Sequence, residues 1–436
     1  MLHGGLRYLE HGRFALVREA LSERAAVSRM APALASPVRF LVPLRRGDRV
    51  GPWRLRAGLA LYDVLAGRAG LGAHAMTGPA GALALEPGLA RDGLVAAGVY
   101  ADGVMDDARL AVAVARDAAA HGATVHTRAE VTAARPAEGG AVEVTSRDTI
   151  TGEESRWTAR AIVNATGAWS DRTRRDLARM LRPGSPDPAP RLRPSRGEHL
   201  VYPALTAGHG VLALAGSDGR AFFVVPFAGR SLVGTTEVET ASPPEAAEAL
   251  PTREEIRYLA HEVARVLPGA ASVRPLAVFA GVRPLLNAGT DVGGASREHR
   301  AFAEGPLVTI AGGKYTTFRV MAREALRIAA PIAGRDAGRL ADDAAPLPMP
   351  LRDADDPVML GAHAVEHEWA RTLEDVMRRR STRWLDDDRG LGAAGAIAGA
   401  MARRLGWDPA RERDEIERWE DAVRDERTRL DRSLDE

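Results

Sequence analysis

The sequence has no cysteine and a single lysine among its 436 residues. The absence of cysteine excludes disulfides, thiolate metal sites, iron–sulfur clusters and cysteine nucleophiles, and it fits a reducing compartment. No apolar run reaches the roughly 18 residues that a membrane span requires, and the first residues lack the apolar core of a signal peptide. We therefore expect a cytoplasmic protein.

An excess of charge of either sign is also missing, because Lys+Arg total 59 and Asp+Glu total 58, a net charge of +1. A protein that binds nucleic acid usually concentrates a basic excess on one face, so no nucleic-acid partner is expected. With 45% hydrophobic and 27% charged residues, the chain has the composition of an ordinary soluble globular protein. Its length suits two to three domains.

The single lysine is Lys314, and all the other cationic side chains among the 59 are arginine. Compositional drift toward Arg, Ala and Gly replaces lysine wherever a cation on a flexible stem suffices. A lysine that remains indicates a need for a compact point charge or a titratable amine, which the planar fork of arginine does not meet. Chance survival of one residue is the alternative interpretation.

The spacing of apolar residues in the first part of the chain predicts helices at residues 11–30 and 52–66. The second helix begins with Trp53, Arg54 and Arg56; packing explains it, but a basic and aromatic end also suits a membrane surface. A third helix is expected from Asp106, with an acidic start and a glycine stop, followed by the short strand ATVHT. The strands VEVTS and ARAIVNATG around the next turn predict a hairpin.

After a boundary rich in proline and glycine, the pattern changes to short strands separated by tight turns, which predicts an antiparallel sheet: EHLVYP, GVLALAG, AFFVVPF and SLVGTTEVE. A helix at 252–267, the strand PLAVFAGVRPLL and the strand LVTIA follow. A Gly-Gly turn then leads into a helix from Tyr315 to about Ala333, and a Pro-rich linker at 334–358 precedes a helical C-terminal piece. The expected architecture is α/β with an inserted antiparallel sheet and a helical cap.

The strand–GGKYTT–helix unit is the most informative chemical signal. Its two glycines allow the backbone to approach a ligand closely, and Thr316 and Thr317 are expected to cap the helix, whose exposed N–H groups favour anions. A helix end of this kind suits a reduced flavin or a phosphate. A turn whose glycines serve geometry alone is the alternative.

Cationic residues near other turns point to the same chemistry. The N-terminal stretch LHGGLRYLEHGRF places His3 beside two glycines, followed by Arg7 and Tyr8. Arg283 ends a predicted strand, and Arg297 follows shortly after it. Arginines at strand ends can converge on one phosphate, because bidentate forks match its geometry. In a chain so rich in arginine, a structural or solvated role explains any single one of them equally well.

Two further patterns have weaker support. HAVEH at 363–367 matches the H-x-x-E-H form of a zinc peptidase, but no third ligand is evident nearby, and we expect no metal site. GLGAHA at 70–75 imitates a dinucleotide fingerprint without a preceding strand. No other G-x-G-x-x-G follows a strand, so motifs alone do not support a dinucleotide enzyme.

Taken together, the segments resemble the FAD-dependent, membrane-associated glycerol-3-phosphate dehydrogenases. The resemblance rests on motifs that occur in order over most of the chain: HGGLRYLE, MDDARL, NATGAW, GTTEVE, GVRPL, SRE, GGKYTTFR, EHEWARTLEDVMRRR and WLDDD. It implies an FAD-binding Rossmann-like domain of the glutathione-reductase/D-amino-acid-oxidase type at 1–345, with an antiparallel substrate-binding sheet inserted at about 196–300. A C-terminal helical cap domain at 346–436 completes the expected fold.

The resemblance also implies an activity. The enzyme would oxidise sn-glycerol 3-phosphate to dihydroxyacetone phosphate in glycerol metabolism, with FAD as cofactor and a quinone as the electron acceptor. It would be cytoplasmic and peripherally associated with the inner membrane, with a homodimer as a further expectation. Two alternatives remain open: an amine or amino-acid oxidoreductase of the same fold, and a remnant unable to hold FAD.

Mapped onto this sequence, the family pattern implies three overlapping sets of residues. The catalytic set is Arg7, Arg283 and Lys314, and the substrate-binding set is Arg7, Tyr8, Arg283, Arg297, Lys314 and Thr316. The set expected to hold FAD is His3, Gly4, Gly5, Val131, Ala165, Thr166, Gly167, Gly312, Gly313, Lys314, Thr316 and Thr317.

This chain departs from the family pattern at its start. Family members carry a strand and a Gly-rich turn, which binds the FAD pyrophosphate, ahead of HGGLRYLE, whereas here that motif follows Met1 and Leu2 directly. The FAD domain is therefore expected to be incomplete at its N-terminus, and the natural protein to be longer. A central strand lost from a parallel sheet would leave its neighbours without ladder partners. The cap is also shorter than usual.

Overall fold

The computed structural model describes residues 1–241, 250–287, 298–338, 345–351 and 356–435. Its α-helices are α1 (Phe14–Met30), α2 (Pro52–Ala66), α3 (Pro79–Leu85), α4 (Asp107–Ala120), α5 (Ser170–Leu181), α6 (Arg253–Val266), α7 (Phe318–Ile332), α8 (Pro357–Glu368), α9 (Leu373–Arg379), α10 (Leu391–Leu405) and α11 (Pro409–Asp435). Its strands are β1 (Ala35–Arg45), β2 (Ala75–Thr77), β3 (Leu94–Met105), β4 (Ala129–Pro136), β5 (Val142–Asp148), β6 (Glu154–Ala159), β7 (Ile162–Asn164), β8 (Ser195–Pro203), β9 (Gly210–Leu214), β10 (Ala221–Phe227), β11 (Arg230–Gly234), β12 (Val238–Glu239), β13 (Ala277–Arg283), β14 (His299–Glu304) and β15 (Leu307–Gly312).

The largest sheet has nine strands in the order β12-β8-β11-β10-β9-β1-β3-β2, with β13 on β8. Its pairs are antiparallel except β1 and β9, which run parallel. Of the four expected strands at 198–239, three appear as β8, β9 and β10, and the fourth, SLVGTTEVE, is divided into β11 and β12. The sheet also uses β1, β2 and β3, from well before residue 196, and sequence reasoning assigned no strand there. The prolines in β1 and the glycines in β3 obscured the strand pattern.

Side chains alternate between the two faces of this sheet, as a strand period of two requires. Phe222 and Val224 of β10 pack into the core that α6 covers, together with Ile256. Phe223 and Val225 point to the opposite face, which α1 and α2 cover in part. The uncovered portion of that second face forms the wall of a cavity, described below.

The parallel part of the fold is small. Strands β7 and β15 are parallel, with Val163 opposite Val308, and β14 pairs antiparallel with the other side of β15. Within the described residues the second edge of β7 has no strand beside it. A separate antiparallel sheet contains β4, β5 and β6. The α/β fold is thus confirmed.

Two local predictions were wrong. Residues 123–127, ATVHT, form no strand, because the N–H groups of Gly122 and Ala123 donate back into the end of α4 and the strand starts only at Ala129. The hairpin partner of β5 is β6, not the NATG strand. Strand β7 joins β15 instead, because Ile162 packs into the core formed with Leu307.

The C-terminal helices form a cap with its own core. Met377 of α9, Ile397 of α10 and Trp419 of α11 are fully buried against one another. This confirms a helical C-terminal piece. Leu430 of α11 also reaches the core under α6. None of the helices described here is both long enough and apolar enough to cross a membrane.

Candidate functional site

A cavity of about 500 Å³ lies between the second face of the large sheet and the N-terminal segment. The strands contribute an apolar wall that includes Leu212, Phe223 and Val225. The polar side chains at the opposite wall and rim include several that the sequence predicted: His3, Arg7, Tyr8 and Arg283, together with the backbone of Gly5. We call this space the main cavity.

A buried network holds the N-terminal turn against the sheet. The Arg24 guanidinium donates to Asp102 Oδ1 at 2.9 Å, the Tyr62 hydroxyl donates to Asp102 Oδ2 at 2.8 Å, and the Gly4 N–H donates to Asp102 Oδ1 at 3.2 Å. Arg24 and Asp102 are each 1% exposed. Burial raises the pKa of Asp102, while Arg24 and the hydrogen bonds from Tyr62 and Gly4 favour its charged form. A one-sided loss of this pair would leave a buried charge without its partner.

Sequence reasoning missed this network, although two signals were available. Asp102 stands inside the otherwise apolar run of β3, where all but one of the neighbouring positions from Ala96 to Met105 are buried. Arg24 lies on the buried face of α1, in line with Val17, Leu21 and Val27. A charged residue at such a position is unfavourable unless it is paired.

The two glycines after His3 are required by close approaches. A Cβ on Gly4 would lie 2.4 Å from Leu21 Cδ2 and 2.4 Å from Tyr62 Oη. Gly5 has a φ of +82°, and a Cβ there would lie 2.2 Å from the Tyr8 ring and 3.6 Å from Lys314 Nζ. The Tyr8 ring therefore packs directly on the Gly5 backbone, close to Lys314, and leaves no room for a side chain at Gly5.

Lys314 meets the N-terminal segment directly. Its Nζ atom lies 3.8 Å from the centroid of the Tyr8 ring, a cation–π contact. A second contact joins the same two segments: the Thr316 hydroxyl donates to the His3 carbonyl oxygen at 3.5 Å. Tertiary contacts thus bring together the two most informative motifs of the sequence, HGGLRY and GGKYTT.

Arg283 is fixed by three hydrogen bonds at the rim of the main cavity. Its guanidinium donates to the Thr235 hydroxyl at 2.5 Å and to the carbonyl oxygens of Thr236 and Arg196, each at 3.2 Å. A Cβ on Gly197 would lie 2.0 Å from Arg283 Nη2. Arg283 therefore has a defined orientation before any ligand binds, and Gly197 makes room for it.

His199 also lines the main cavity, and nothing in the sequence pointed to it. Its imidazole stacks on Phe279, with ring centroids 5.0 Å apart and planes inclined by 7°. Burial, and then the nearby charge of Arg283, lower the pKa of His199 to about 3. The ring is therefore neutral at physiological pH, so it adds an uncharged hydrogen-bonding group beside the cations.

Two glycine-containing turns lie at the carboxyl edge of the parallel strands. Gly312, which ends β15, and Gly313 have φ values of +77° and +99°, and the exposed residues 165–167 follow β7. The Asn164 side chain holds the second turn by accepting from the Thr166 hydroxyl at 2.8 Å and donating to the Ser170 carbonyl at 2.8 Å. Ligands of open α/β sheets bind at such carboxyl edges.

Other predicted residues stand apart from the main cavity. Ala165, Thr166 and Gly167 do not line it, and Val131 is half exposed on β4. Arg297 lies outside the described residues. The expected helix caps were wrong: α7 starts after a short 3-10 turn at Tyr315–Thr317, and the Thr317 hydroxyl donates to the Lys314 carbonyl instead of capping α7.

A second cavity of about 440 Å³ adjoins the main one and shares Arg13 and Glu298 with it. These two residues form an ion pair at 3.0 Å. Arg191 and Arg300 also line this space, beside Phe302. In α8, the His363 and His367 rings lie 4.7 Å apart, but the described part of the chain contains no cluster of three or more potential metal ligands.

Known families and proteins resemble this chain over most of its length. The family described as FAD dependent oxidoreductase matches residues 1–319, and the C-terminal domain of alpha-glycerophosphate oxidase matches residues 361–412. Glycerol-3-phosphate dehydrogenase 2 of Mycobacterium tuberculosis is 37% identical over 330 residues, which cover 75% of this chain and 55% of that protein. The chain thus spans about half the length of such relatives.

Two other similar proteins cover more of the chain. The glycerol-3-phosphate dehydrogenase of Mycobacterium leprae is 32% identical over 464 residues, covering 93% of this chain and 78% of the relative. Among solved structures, the glycerol-3-phosphate dehydrogenase from Bacillus halodurans complexed with FAD has a TM-score of 0.65 at 22% identity, covering 94% of this chain and 84% of that one. The structural likeness shows the fold.

Proposed function

The chain belongs to the FAD-dependent oxidoreductase family, and we propose that it oxidises sn-glycerol 3-phosphate to dihydroxyacetone phosphate. The observation that carries the proposal is the convergence of Arg7, Tyr8 and Arg283 on the main cavity, with Lys314 against the Tyr8 ring. A substrate with a dianionic phosphate needs several cations, whereas the single carboxylate of an amino acid needs one clamp. The cation set therefore favours the phosphate.

The residues present fit FAD at its reactive end. The Tyr8 ring packs on the Gly5 backbone next to Lys314, and the exposed turn at 165–167, where a Cβ on Gly167 would meet nothing within 4 Å, leaves the backbone open at the carboxyl edge. A planar ring and a phosphate-bearing chain need this kind of close backbone approach. When bound, FAD supplies a two-electron acceptor for the hydrogen that leaves the substrate carbon.

We infer that the predicted FAD-binding residues divide into three groups. The N-terminal turn His3–Gly5 and the GGKYTT turn would hold the flavin end. The turn at Ala165–Gly167 would contact the diphosphate and ribitol, and the backbone of Val131 would contact the adenine. The register of β7 and β15, which puts both glycine turns at one edge, supports this assignment.

The protein side chains have separate tasks in the proposed reaction. Arg283, held in place by Thr235 and two carbonyl oxygens, presents a fixed positive charge to the phosphate. Lys314 places a compact positive charge beside Tyr8 and Gly5, where negative charge develops during oxidation. His199, neutral because of its low pKa, accepts or donates a hydrogen bond without adding charge. The apolar wall of β9 and β10 excludes water from the same space.

The test uses the purified chain reconstituted with FAD. Under anaerobic conditions, glycerol 3-phosphate should bleach the flavin absorbance, whereas glycerol, which lacks the phosphate, should not. Bleaching by a simple amino acid but not by glycerol 3-phosphate would reject the proposed substrate. Failure to retain FAD after reconstitution would favour a remnant without the activity.

We further propose that electrons pass to a quinone and that α2 touches the cytoplasmic face of the inner membrane. Trp53 is 82% exposed and Val64 is 76% exposed, and with the exposed Leu61 they follow one face of α2. Arg54 and Arg56 are exposed beside them. An apolar stripe flanked by arginines suits an anionic lipid surface.

Sedimentation with anionic phospholipid vesicles tests this surface. Trp53→Ser should lower the bound fraction, while Met359→Ser, which removes a side chain 56% exposed on α8 in the cap, should not. Equal binding by both variants and the parent chain would exclude α2 as the docking surface. The expected homodimer is checked separately by the molar mass of the FAD-loaded chain in solution.

A further inference from the structure

Strand β13, which ends in Arg283, has a strand neighbour on one edge only within the described residues. That neighbour is β8, with Phe279 opposite His199 and Arg283 opposite Ser195. An edge strand exposes main-chain N–H and C=O groups that need other partners when they are buried. Here the cap supplies side-chain partners for the outer edge of β13.

Two charged side chains of the cap make these contacts. Glu426 of α11 accepts from the Val278 N–H at 2.8 Å, in a buried hydrogen bond. Arg389 donates to the carbonyl oxygen of Leu276 at 2.7 Å and to Glu426 Oε2 at 2.9 Å. The Arg389 and Glu426 side chains are 3% and 9% exposed. The pair therefore satisfies one carbonyl and one N–H at the start of the outer edge of β13, as a further strand would do there.

An aromatic contact continues from the same place into the main cavity. Trp384 of the cap meets Phe279 edge-to-face, with ring centroids 5.7 Å apart. Phe279 stacks in turn on His199, which lines the cavity. The Trp384 carbonyl oxygen accepts from Arg389 at 2.6 Å. Arg389 therefore connects the hydrogen bonds at β13 with the aromatic contact of Trp384.

We propose that the cap is a positioning element of the substrate site, acting through Glu426, Arg389 and Trp384 on β13. The strand carries both Phe279, which stacks on His199, and Arg283, the predicted phosphate ligand. Loosening the outer edge of β13 would shift both groups relative to the flavin end of the site. The inference rests on the proposed function for its kinetic consequence, but its structural part holds independently of the substrate.

The chain offers a matched control for the test. Glu415 is also a buried glutamate of α11 and also accepts a main-chain N–H, from Leu373 at 2.7 Å, but that partner lies inside the cap. Glu426→Ala and Glu415→Ala therefore remove the same kind of contact, one across the boundary with β13 and one within the cap. Both should weaken the cap to a similar extent.

Hydrogen exchange of the full chain and steady-state kinetics of the FAD-loaded chain give two independent readouts. Glu426→Ala should speed exchange over residues 276–283 and raise KM for glycerol 3-phosphate roughly tenfold, with kcat changed less. Glu415→Ala should leave both unchanged. Glu426→Gln, which keeps an oxygen for the Val278 N–H, should restore most of the protection.

Equal effects of the two alanine variants on exchange and KM would overturn the proposal, because the Glu426 contact would then contribute only to the stability of the cap. If Glu426→Ala fails to fold, Trp384→Leu provides the same test through Phe279, with faster exchange at 276–283 expected. No change in that segment would count against the proposal. If the parent chain turns over no glycerol 3-phosphate, the proposed function fails, while the exchange result still decides the coupling.

Discussion

The Nζ atom of Lys314 lies 3.8 Å from the centroid of the Tyr8 ring, and 3.6 Å from the position that a Cβ on Gly5 would take. A cation over an aromatic face stabilises by about 0.5–2 kcal/mol, depending on how far it is desolvated. An ammonium group is compact enough to lie against the Tyr8 ring next to Gly5. A planar guanidinium is wider, and its donors form hydrogen bonds in fixed directions. The contact gives a physical reason for lysine at this one position.

Lys314→Arg should therefore lower turnover while the fold persists. Loss of a charge-assisted contact worth about 1.5–3 kcal/mol corresponds to a decrease in kcat/KM of roughly 10- to 150-fold. Steady-state kinetics with glycerol 3-phosphate on an FAD-loaded variant check this, and Arg327→Lys on the exposed side of α7 is the control. Unchanged kinetics would indicate that lysine survives at position 314 by chance.

Gly197→Ala should raise KM for glycerol 3-phosphate because the added Cβ would lie 2.0 Å from Arg283 Nη2 and displace the guanidinium. Loss of this positioned charge should cost about tenfold or more in KM, with a smaller effect on kcat. Gly281→Ala on β13, where a Cβ meets nothing within 4 Å, is the matched control. If the two variants behave alike, Arg283 does not depend on Gly197.

Stability should fall as pH rises from about 4.5 to about 8 because of Glu198. Burial raises the pKa of Glu198 from 4.5 to about 8, and the neighbouring Glu255 adds to the shift. Below pH 4.5, Glu198 is protonated in both the folded and the unfolded state, and its contribution to stability is complete. Between pH 4.5 and about 8, only the folded state keeps the proton, so this contribution is lost progressively as the pH rises. Melting temperatures of Glu198→Gln should depend less on pH in this window.

The control for that experiment is Glu417→Gln, which changes an exposed glutamate of α11. It should reproduce the pH dependence of the parent chain. The prediction fails if the melting temperature of Glu198→Gln depends on pH as strongly as that of the parent chain, because another group would then hold the proton. Burial alone would raise the pKa of Glu255. Its hydrogen bonds with Thr236, Glu198 and Thr252 and the charge of Arg196 outweigh this effect and lower the pKa, so Glu255 stays ionised over this pH range.

Asp102→Asn should lower the free energy of unfolding by about 3–5 kcal/mol, since it leaves the buried Arg24 guanidinium without its counter-charge. Denaturant titration measures the change. Asp63→Asn, which affects a half-exposed pair with His74, should cost less than about 1 kcal/mol. Similar losses for the two variants would show that burial does not set the value of the Arg24–Asp102 pair.

The sequence predicted the elements whose local pattern is strong. The periodic apolar faces of α2 and α6, the acidic start of α4 at Asp106 and the successive strands β8 to β11 all appear close to their expected bounds. It failed where tertiary pairing overrode local preference: ATVHT yields to the hydrogen bonds that end α4, and β1 forms despite Pro37 and Pro43 because β3 pairs along its length. Local pattern does not encode such partners.

The candidate site shows the same division. Glycines beside His3 and Lys314, with Arg7, Tyr8 and Arg283, were evident from the sequence because close approach and anion binding demand those residue types. Which of them meet was decided by tertiary structure: the Asp102 network positions the N-terminal turn, and the β15–α7 turn brings Lys314 to Tyr8. His199 and the cap contact of Glu426 to Val278 arise only from packing across the sheet. The sequence by itself determined the chemistry available, and the long-range burial of charges and rings decided where that chemistry is assembled.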